Sequence, residues 1–455
     1  MKLRKKIAIV ATTAMLGGFA GAVPVHAEAI TGGGATFMAN FMDVCRSLYA
    51  SNTTVNPGKD TISYSAVGSG TGKTSFANGT FQFGGSESAY SSGAPSNFVY
   101  VPLIGGPIAV AYRLDGVTDQ IHLTAPTIAK IFSGTVKTWN DPAIAADNTA
   151  VTVPAKKSQS IAGVKVSVVA AGSNAKITTT MTAAAIKANR GKTVILKRTT
   201  SKGVTSNVGL LKFSKSQVNT VKHVKGTTYS IVVDTSTLAT VSLEATTSGK
   251  TITLPATPIK VAYRSGGSGT TNAFLNYLNL AAPTVWTKVT NDDFTKSIPT
   301  TLPTDGTFQA ASGNDGVSNY VKDNNGAITY AELSFVLERE NAGVKAAAVK
   351  NAGGAFVTPT TTNAGEALSY ATVAADGLVT LNYTNTSTTM YPIAAISYGL
   401  ASTKASTTNT NIRNFFNYLL GTCGPKSAEA IGYSPLAGDI YTKAVVLAAR
   451  IGSGS

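Results

Sequence analysis

Three glycine-rich turns share one layout: Gly32-Gly-Gly-Ala-Thr-Phe37, Gly68-Ser-Gly-Thr-Gly72 and Gly266-Gly-Ser-Gly-Thr-Thr271. Each opens onto a segment of helical character, and the last two follow strand-like runs. Residues 61–67 alternate β-branched and aromatic residues as a strand does. The apolar runs 98–104 and 108–112 suit two buried strands, and residues 125–132 have helical spacing that stops at Gly134. This alternation of strand and helix argues for an α/β fold. It resumes after Pro258, with strands expected at 377–383 and 393–398 and helices at 411–420 and 441–451. Glycine lets backbone N–H groups point into a concavity, and a helix N-terminus presents unsatisfied donors with partial positive charge. Any one of these turns alone reads more readily as a tight strand–helix connection with a serine cap. Three of them, each rich in hydroxyls and meeting across a cleft, would enclose a small anion.

The interval 155–252 interrupts this text. Thr, Ser, Val and Lys dominate, and Phe213 and Tyr229 are its only Phe, Tyr or Trp residues. Short alternating runs recur, as in Val164-Lys-Val-Ser-Val-Val169, so a small, mostly β module is expected, with room for a helix over 177–188. The flanks 151–155 and 253–256 resemble each other, as they would around an insertion into a surface turn. Charge is concentrated here. The chain's formal net charge is +16, yet this interval holds fifteen Lys or Arg against Asp234 and Glu244, a net of +13. With the basic N-terminus set aside, the remainder is near neutral. Such a segment would attract anionic envelope polymers, lipid headgroups or extracellular nucleic acid by screened attraction, or serve as a solvated module kept soluble by its lysines. It lacks the aromatic platforms of single-strand binders.

Residues 1–27 carry the layout of a cleavable export signal: Lys2, Arg4, Lys5 and Lys6, then an apolar run, then Val25-His26-Ala27. No cysteine follows the expected cut near Ala27, so no lipid anchor is marked, and a periplasmic or secreted protein is expected. The mature chain of about 430 residues is too long for one core. Cys45 and Cys423 are its only cysteines, and in an exported protein an even pair favours a disulfide over two buried free thiols or a metal site.

Two other motifs fail on inspection. Gly72-Lys73-Thr74 resembles the end of a P-loop, but the required first glycine is Val67. Asp323, Asn325, Gly326 and Glu332 fit a calcium loop, but its first ligand position is Val321. The only histidines are His26, His122 and His223, and no spacing offers a metal cluster or a Ser-His-Asp triad. No enzyme and no cofactor are expected.

Gly32-Gly-Gly-Ala-Thr-Phe37, Val67-Gly-Ser69, Phe83-Gly-Gly-Ser-Glu87, the Trp139-Asn-Asp-Pro142 stretch and Arg264-Ser-Gly-Gly-Ser-Gly-Thr270 together resemble the phosphate-binding protein of the phosphate ABC transporter. Gly313-Asn-Asp-Gly316 and Gly326-Ala-Ile-Thr-Tyr330 continue the likeness in order. It covers nearly all of the mature chain except the basic interval. The resemblance implies a two-lobed periplasmic binding protein of type II, α/β, with hinge strands and here an inserted mostly-β domain. Lobe I would comprise 28–106 and 346–455, and lobe II 107–154 and 253–345. The implied ligand is inorganic phosphate and the implied partner an ABC permease in the inner membrane, with the chain itself a monomer. Carried over position by position, phosphate would be bound by Thr36, the N–H of Phe37, Ser69, Glu87, Arg264, Ser268, the N–H of Gly269 and Thr270. Two positions depart from the family pattern. Glu87 stands where the family has an aspartate that accepts the proton remaining on phosphate and repels sulfate. Gly266 stands where the family has an aspartate that pairs with the arginine, so Arg264 is expected to be less restrained and the pocket more positive.

Overall fold

A computed structural model describes residues 27–454, apart from 154, 202, 212–214, 245 and 249–250. The expected export signal, except Ala27, therefore lies outside the described residues, as do Lys202, Lys212, Phe213 and Lys250 of the basic interval. Among the described residues no helix is long and apolar enough to cross a membrane.

A nine-stranded mixed sheet runs through the molecule. Its strands are β1 (Ala29–Gly34), β2 (Thr61–Ser65), β3 (Phe83–Ser86), β4 (Phe98–Tyr112), β5 (Lys260–Arg264), β6 (Phe308–Ala311), β7 (Ala327–Glu332) and β8 (Ala394–Ser402). They lie in the order β6-β5-β7-β4-β8-β3-β1-β2, and Lys345–Ala346 also pairs with the end of β4. Parallel pairs occupy the two flanks, β1 with β2 and β3 on one side and β5 with β6 and β7 on the other. The two flanks are the two lobes.

The strand that joins them corrects the sequence reading. Residues 98–104 and 108–112 form one fifteen-residue strand that runs straight through Gly105-Gly106-Pro107. Its first part pairs antiparallel with β8 and its last part with β7. Pro107, which has no N–H, stands opposite Ala394, the first residue of β8, and the ladder resumes with Ile108 N donating to Ile393 O at 2.7 Å. Partners on both sides thus outweigh the local tendency of Gly-Gly-Pro to turn.

Four helices matter for the site: α1 (Ala39–Ser51), α2 (Ser69–Ala77), α3 (Gly269–Ala281) and α4 (Gly313–Asp323). α2 and α3 begin inside the glycine turns of the sequence. The core of one lobe gathers Phe37, Phe41, Phe83, Phe415, Phe416 and Tyr433, and that of the other Phe132, Phe274, Phe294 and Tyr330. Trp139, fully buried, donates through Nε1 to Gly326 O.

Cys45 of α1 and Cys423 form a disulfide across 378 residues of sequence. A bridge that closes so long a loop restricts the unfolded chain strongly, by about 2–5 kcal/mol. The double substitution Cys45→Ala/Cys423→Ala is therefore expected to melt several degrees lower in calorimetry. An unchanged Tm would show that the bridge contributes nothing to stability.

The basic interval folds as two four-stranded antiparallel sheets around its own core. Val164, Val166 and Val168 point inward and Lys165 outward, as the alternation requires. The expected helix over 177–188 is only Ala183–Ala188, because the β-branched run before it completes the strand Asn174–Met181. The interval leaves and rejoins the body at neighbouring points: Val151–Val153 pairs with Thr246–Ser248, and Ile252 N donates to Asn148 O.

Candidate functional site

β1, β2 and β5 each end in a glycine turn, and the N-termini of α2, α3 and α4 face the same interlobe space. In open α/β sheets this end of the strands is where ligands bind. Arg264 is the last residue of β5 and only 3% exposed, and its Nε and Nη1 have no hydrogen-bond partner. Its backbone is pinned: Arg264 N donates to Tyr330 Oη, which also bonds Thr271 Oγ1 at 2.8 Å and stacks on Phe274. Burial lowers the Arg264 guanidinium from its ordinary value, against the opposing pull of Tyr330 and Glu87. Thr270, fully buried in the first turn of α3, likewise has an unpartnered Oγ1. Ser268 caps α3 by accepting from Thr271 N at 3.1 Å, and Gly269 is the helix's first residue.

The opposite lobe brings the other half of the site. Ser69, the first residue of α2, donates to Glu87 Oε2 at 3.0 Å. Thr36 Oγ1 accepts from Asn314 N at 3.3 Å and Nδ2 at 3.1 Å, which leaves its own proton to donate elsewhere. Phe37 follows it in the turn, its carbonyl held by Tyr433 Oη. Glu87 is gripped at both oxygens, by Ser69 and by Ser397 Oγ at 2.7 Å on Oε1. Its pKa is raised to about 7, chiefly by burial and further by Asp292, although both serines and Arg264 favour the ionised form.

The lobes are closed on each other. Gly70 N donates across the cleft to Gly267 O at 3.0 Å. Lys73 Nζ reaches Asp292 Oδ2 at 2.8 Å, and the same carboxylate accepts from Ser88 Oγ and Asn272 Nδ2. Gly269 presses against Glu87 so tightly that a Cβ there would lie 2.7 Å from its Cβ, N and Oε2. Gly266 sends no side chain toward Arg264, and a Cβ built on it meets nothing within 4 Å.

All eight residues singled out in the sequence are therefore drawn into one interlobe region. Chemically, the region offers buried donors that lack acceptors, one guanidinium, and Glu87 as the acceptor among them. An uncompensated buried donor is costly, and a small oxyanion satisfies several at once. Four further residues shape the site: Asn314, Ser397, Lys73 and Asp292. Asn314 lay in the Gly313-Asn-Asp-Gly316 motif, and Lys73 in the rejected P-loop fragment. Ser397 gave only the weak signal of a serine within a largely apolar strand, and Asp292 gave none.

Residues 22–241 and 242–422 match the sequence profile of the PBP superfamily domain. The phosphate-binding protein PstS2 of Mycobacterium bovis is 26% identical over 393 residues, covering 83% of this chain and 75% of the relative. The phosphate-binding protein PstS of Pasteurella multocida is 31% identical over 138 residues, 30% of this chain and 39% of the relative. Among solved structures, a periplasmic phosphate-binding protein (PfluDING) with bound phosphate aligns with TM-score 0.55 and 21% identity, covering 91% of this chain and 92% of that one. The phosphate-binding protein of Stenotrophomonas maltophilia aligns with TM-score 0.52 and 16% identity, over 92% and 94% of the two chains. The two-lobed α/β sheet with its crossing strand is the arrangement of type II periplasmic binding proteins, and the chain belongs to the PBP superfamily.

Proposed function

We propose that this protein captures inorganic phosphate between its lobes and delivers it to the permease of an ABC importer in the inner membrane. The observation that carries this reading is the closed meeting of the lobes, where buried Arg264 Nε and Nη1 and Thr270 Oγ1 lack partners and Glu87, held by Ser69, lies against Gly269 at the start of α3. Several short donors, one guanidinium and one proton acceptor suit a small tetrahedral anion that retains a proton. The names of the mycobacterial and Pasteurella relatives agree with it. The protein acts as a monomer in the periplasm, or outside the cell, after signal cleavage near Ala27, and it is not an enzyme. His122 stacks on Phe356, and His223 lies in the inserted module beside Tyr229 and Glu244, so neither histidine serves the site. Lobe closure around the ligand gives the permease a distinct form to read.

The inserted module is an attachment surface for anionic envelope polymer or lipid headgroups. On the outer face of one of its sheets Lys165, Lys176 and Lys222 are exposed, with Ser160, Thr180, Thr220, Asn174 and Val169 as their cross-strand neighbours. Titration calorimetry of the purified mature chain with phosphate tests the main reading. The expected Kd is micromolar or tighter, about −8 kcal/mol, and it persists when residues 155–252 are replaced by a short linker. Retention on anionic surfaces is lost in the same deletion. Failure to bind phosphate overturns the capture reading.

A further inference from the structure

Glu87, the acceptor between the lobes, is held by a residue from a distant strand. Ser397 is fully buried in β8 and donates to Glu87 Oε1 at 2.7 Å, across 310 residues of sequence. The β4–β8 ladder slips register at this point: Ser397 stands opposite Ile104 but Tyr398 opposite Pro102. A register slip of this kind re-aims a side chain. With Ser69 on Oε2, both carboxylate oxygens are occupied by hydroxyls that are obliged to donate, so the carboxylate faces the ligand as an acceptor.

The other groups around Glu87 leave it finely balanced. Arg264 of β5 favours its ionised form, and Asp292, itself paired with Lys73, opposes that. Tyr64 of β2 donates to Ala35 O, and Tyr398 Oη accepts from Val379 N; neither is hydrogen-bonded to the carboxylate. Among the described residues, Ser69 and Ser397 are the two side chains that donate to it. Ser69 also opens α2, whose N-terminal backbone faces the space between the lobes, whereas Ser397 lies within β8 and is the one whose task concerns the carboxylate alone.

We propose that Ser397 is a specificity-determining positioning residue: by donating to Glu87 it sets the pH above which the site rejects sulfate while still admitting phosphate. The proposal rests on the phosphate reading and deepens it. The sign follows from which form each anion needs. Phosphate carries a proton for an ionised Glu87 to accept, whereas sulfate has none and binds only when Glu87 itself is protonated. Removing a donor to the ionised carboxylate favours its protonation, so the boundary for sulfate moves to higher pH.

The test is titration calorimetry with phosphate and with sulfate, from mildly acidic to mildly alkaline pH, on the wild-type mature chain, Ser397→Ala and Ser397→Thr. In the wild type, phosphate is expected to bind throughout and sulfate only on the acid side. In Ser397→Ala the sulfate profile moves alkaline by about one pH unit, a roughly tenfold gain in sulfate affinity at neutral pH. Ser397→Thr, which keeps the hydroxyl, restores the wild-type profile. A Ser397→Ala chain that binds phosphate normally and keeps the wild-type sulfate profile overturns the proposal. So does a Ser397→Ala chain that loses both anions, because the hydroxyl would then be structural. A wild-type chain that ignores phosphate overturns the phosphate reading itself, and this one with it.

Discussion

Arg264→Ala is expected to weaken phosphate binding by at least three orders of magnitude, about 4 kcal/mol. The guanidinium is buried, its Nε and Nη1 have no protein partner, and no aspartate stands at position 266 to share it. Nearly all of its charge-assisted bonding is therefore reserved for the ligand. An isolated buried cation with orphan donors is a burden on the folded state, so the ligand-free variant should be at least as stable as the wild type. Calorimetric melting with and without phosphate separates the two effects. The wild-type Tm rises with phosphate by mass action, and the variant's does not. A variant that still binds within tenfold of the wild type would remove Arg264 from the site.

Gly269→Ala is expected to lower phosphate affinity by at least a hundredfold, about 3 kcal/mol, without harming the fold. Alanine is a better helix former than glycine at the start of α3, so the open chain loses nothing. The added methyl meets Glu87 Cβ, N and Oε2 at 2.7 Å, and two of these atoms cannot swing aside as a flexible side-chain end would. It acts only when the lobes meet. Calorimetric titration reads the affinity, and small-angle scattering should show that added phosphate no longer compacts the chain. Near-normal affinity would mean that the lobes close with slack at this point.

Both residues were legible in the sequence, but the closeness that makes Gly269 necessary was not. Arg264 and Gly269 belong to a continuous run, Arg264-Ser-Gly-Gly-Ser-Gly-Thr270, whose donors and helix start lie within one turn of each other. The need for closeness between Gly269 and Glu87, by contrast, appears only when the lobes are shut. The strand β4 shows the opposite error. Its Gly105-Gly106-Pro107 reads locally as a break between two strands, yet partners from both lobes carry it through as one.

By itself the sequence determined the α/β character of the body, the mostly β character of the insertion and the three donor-rich turns. Each of these depends on residues within a few positions of one another, where periodicity, glycine and hydroxyl placement act directly on the local backbone. Tertiary structure alone decided that Ser397 grips Glu87, that Asn314 holds Thr36, and that Lys73 meets Asp292 across the cleft. Those contacts span between 219 and 310 residues of sequence. They depend on strand register and on the approach of two lobes, and neither leaves a trace in the local pattern of a single chain.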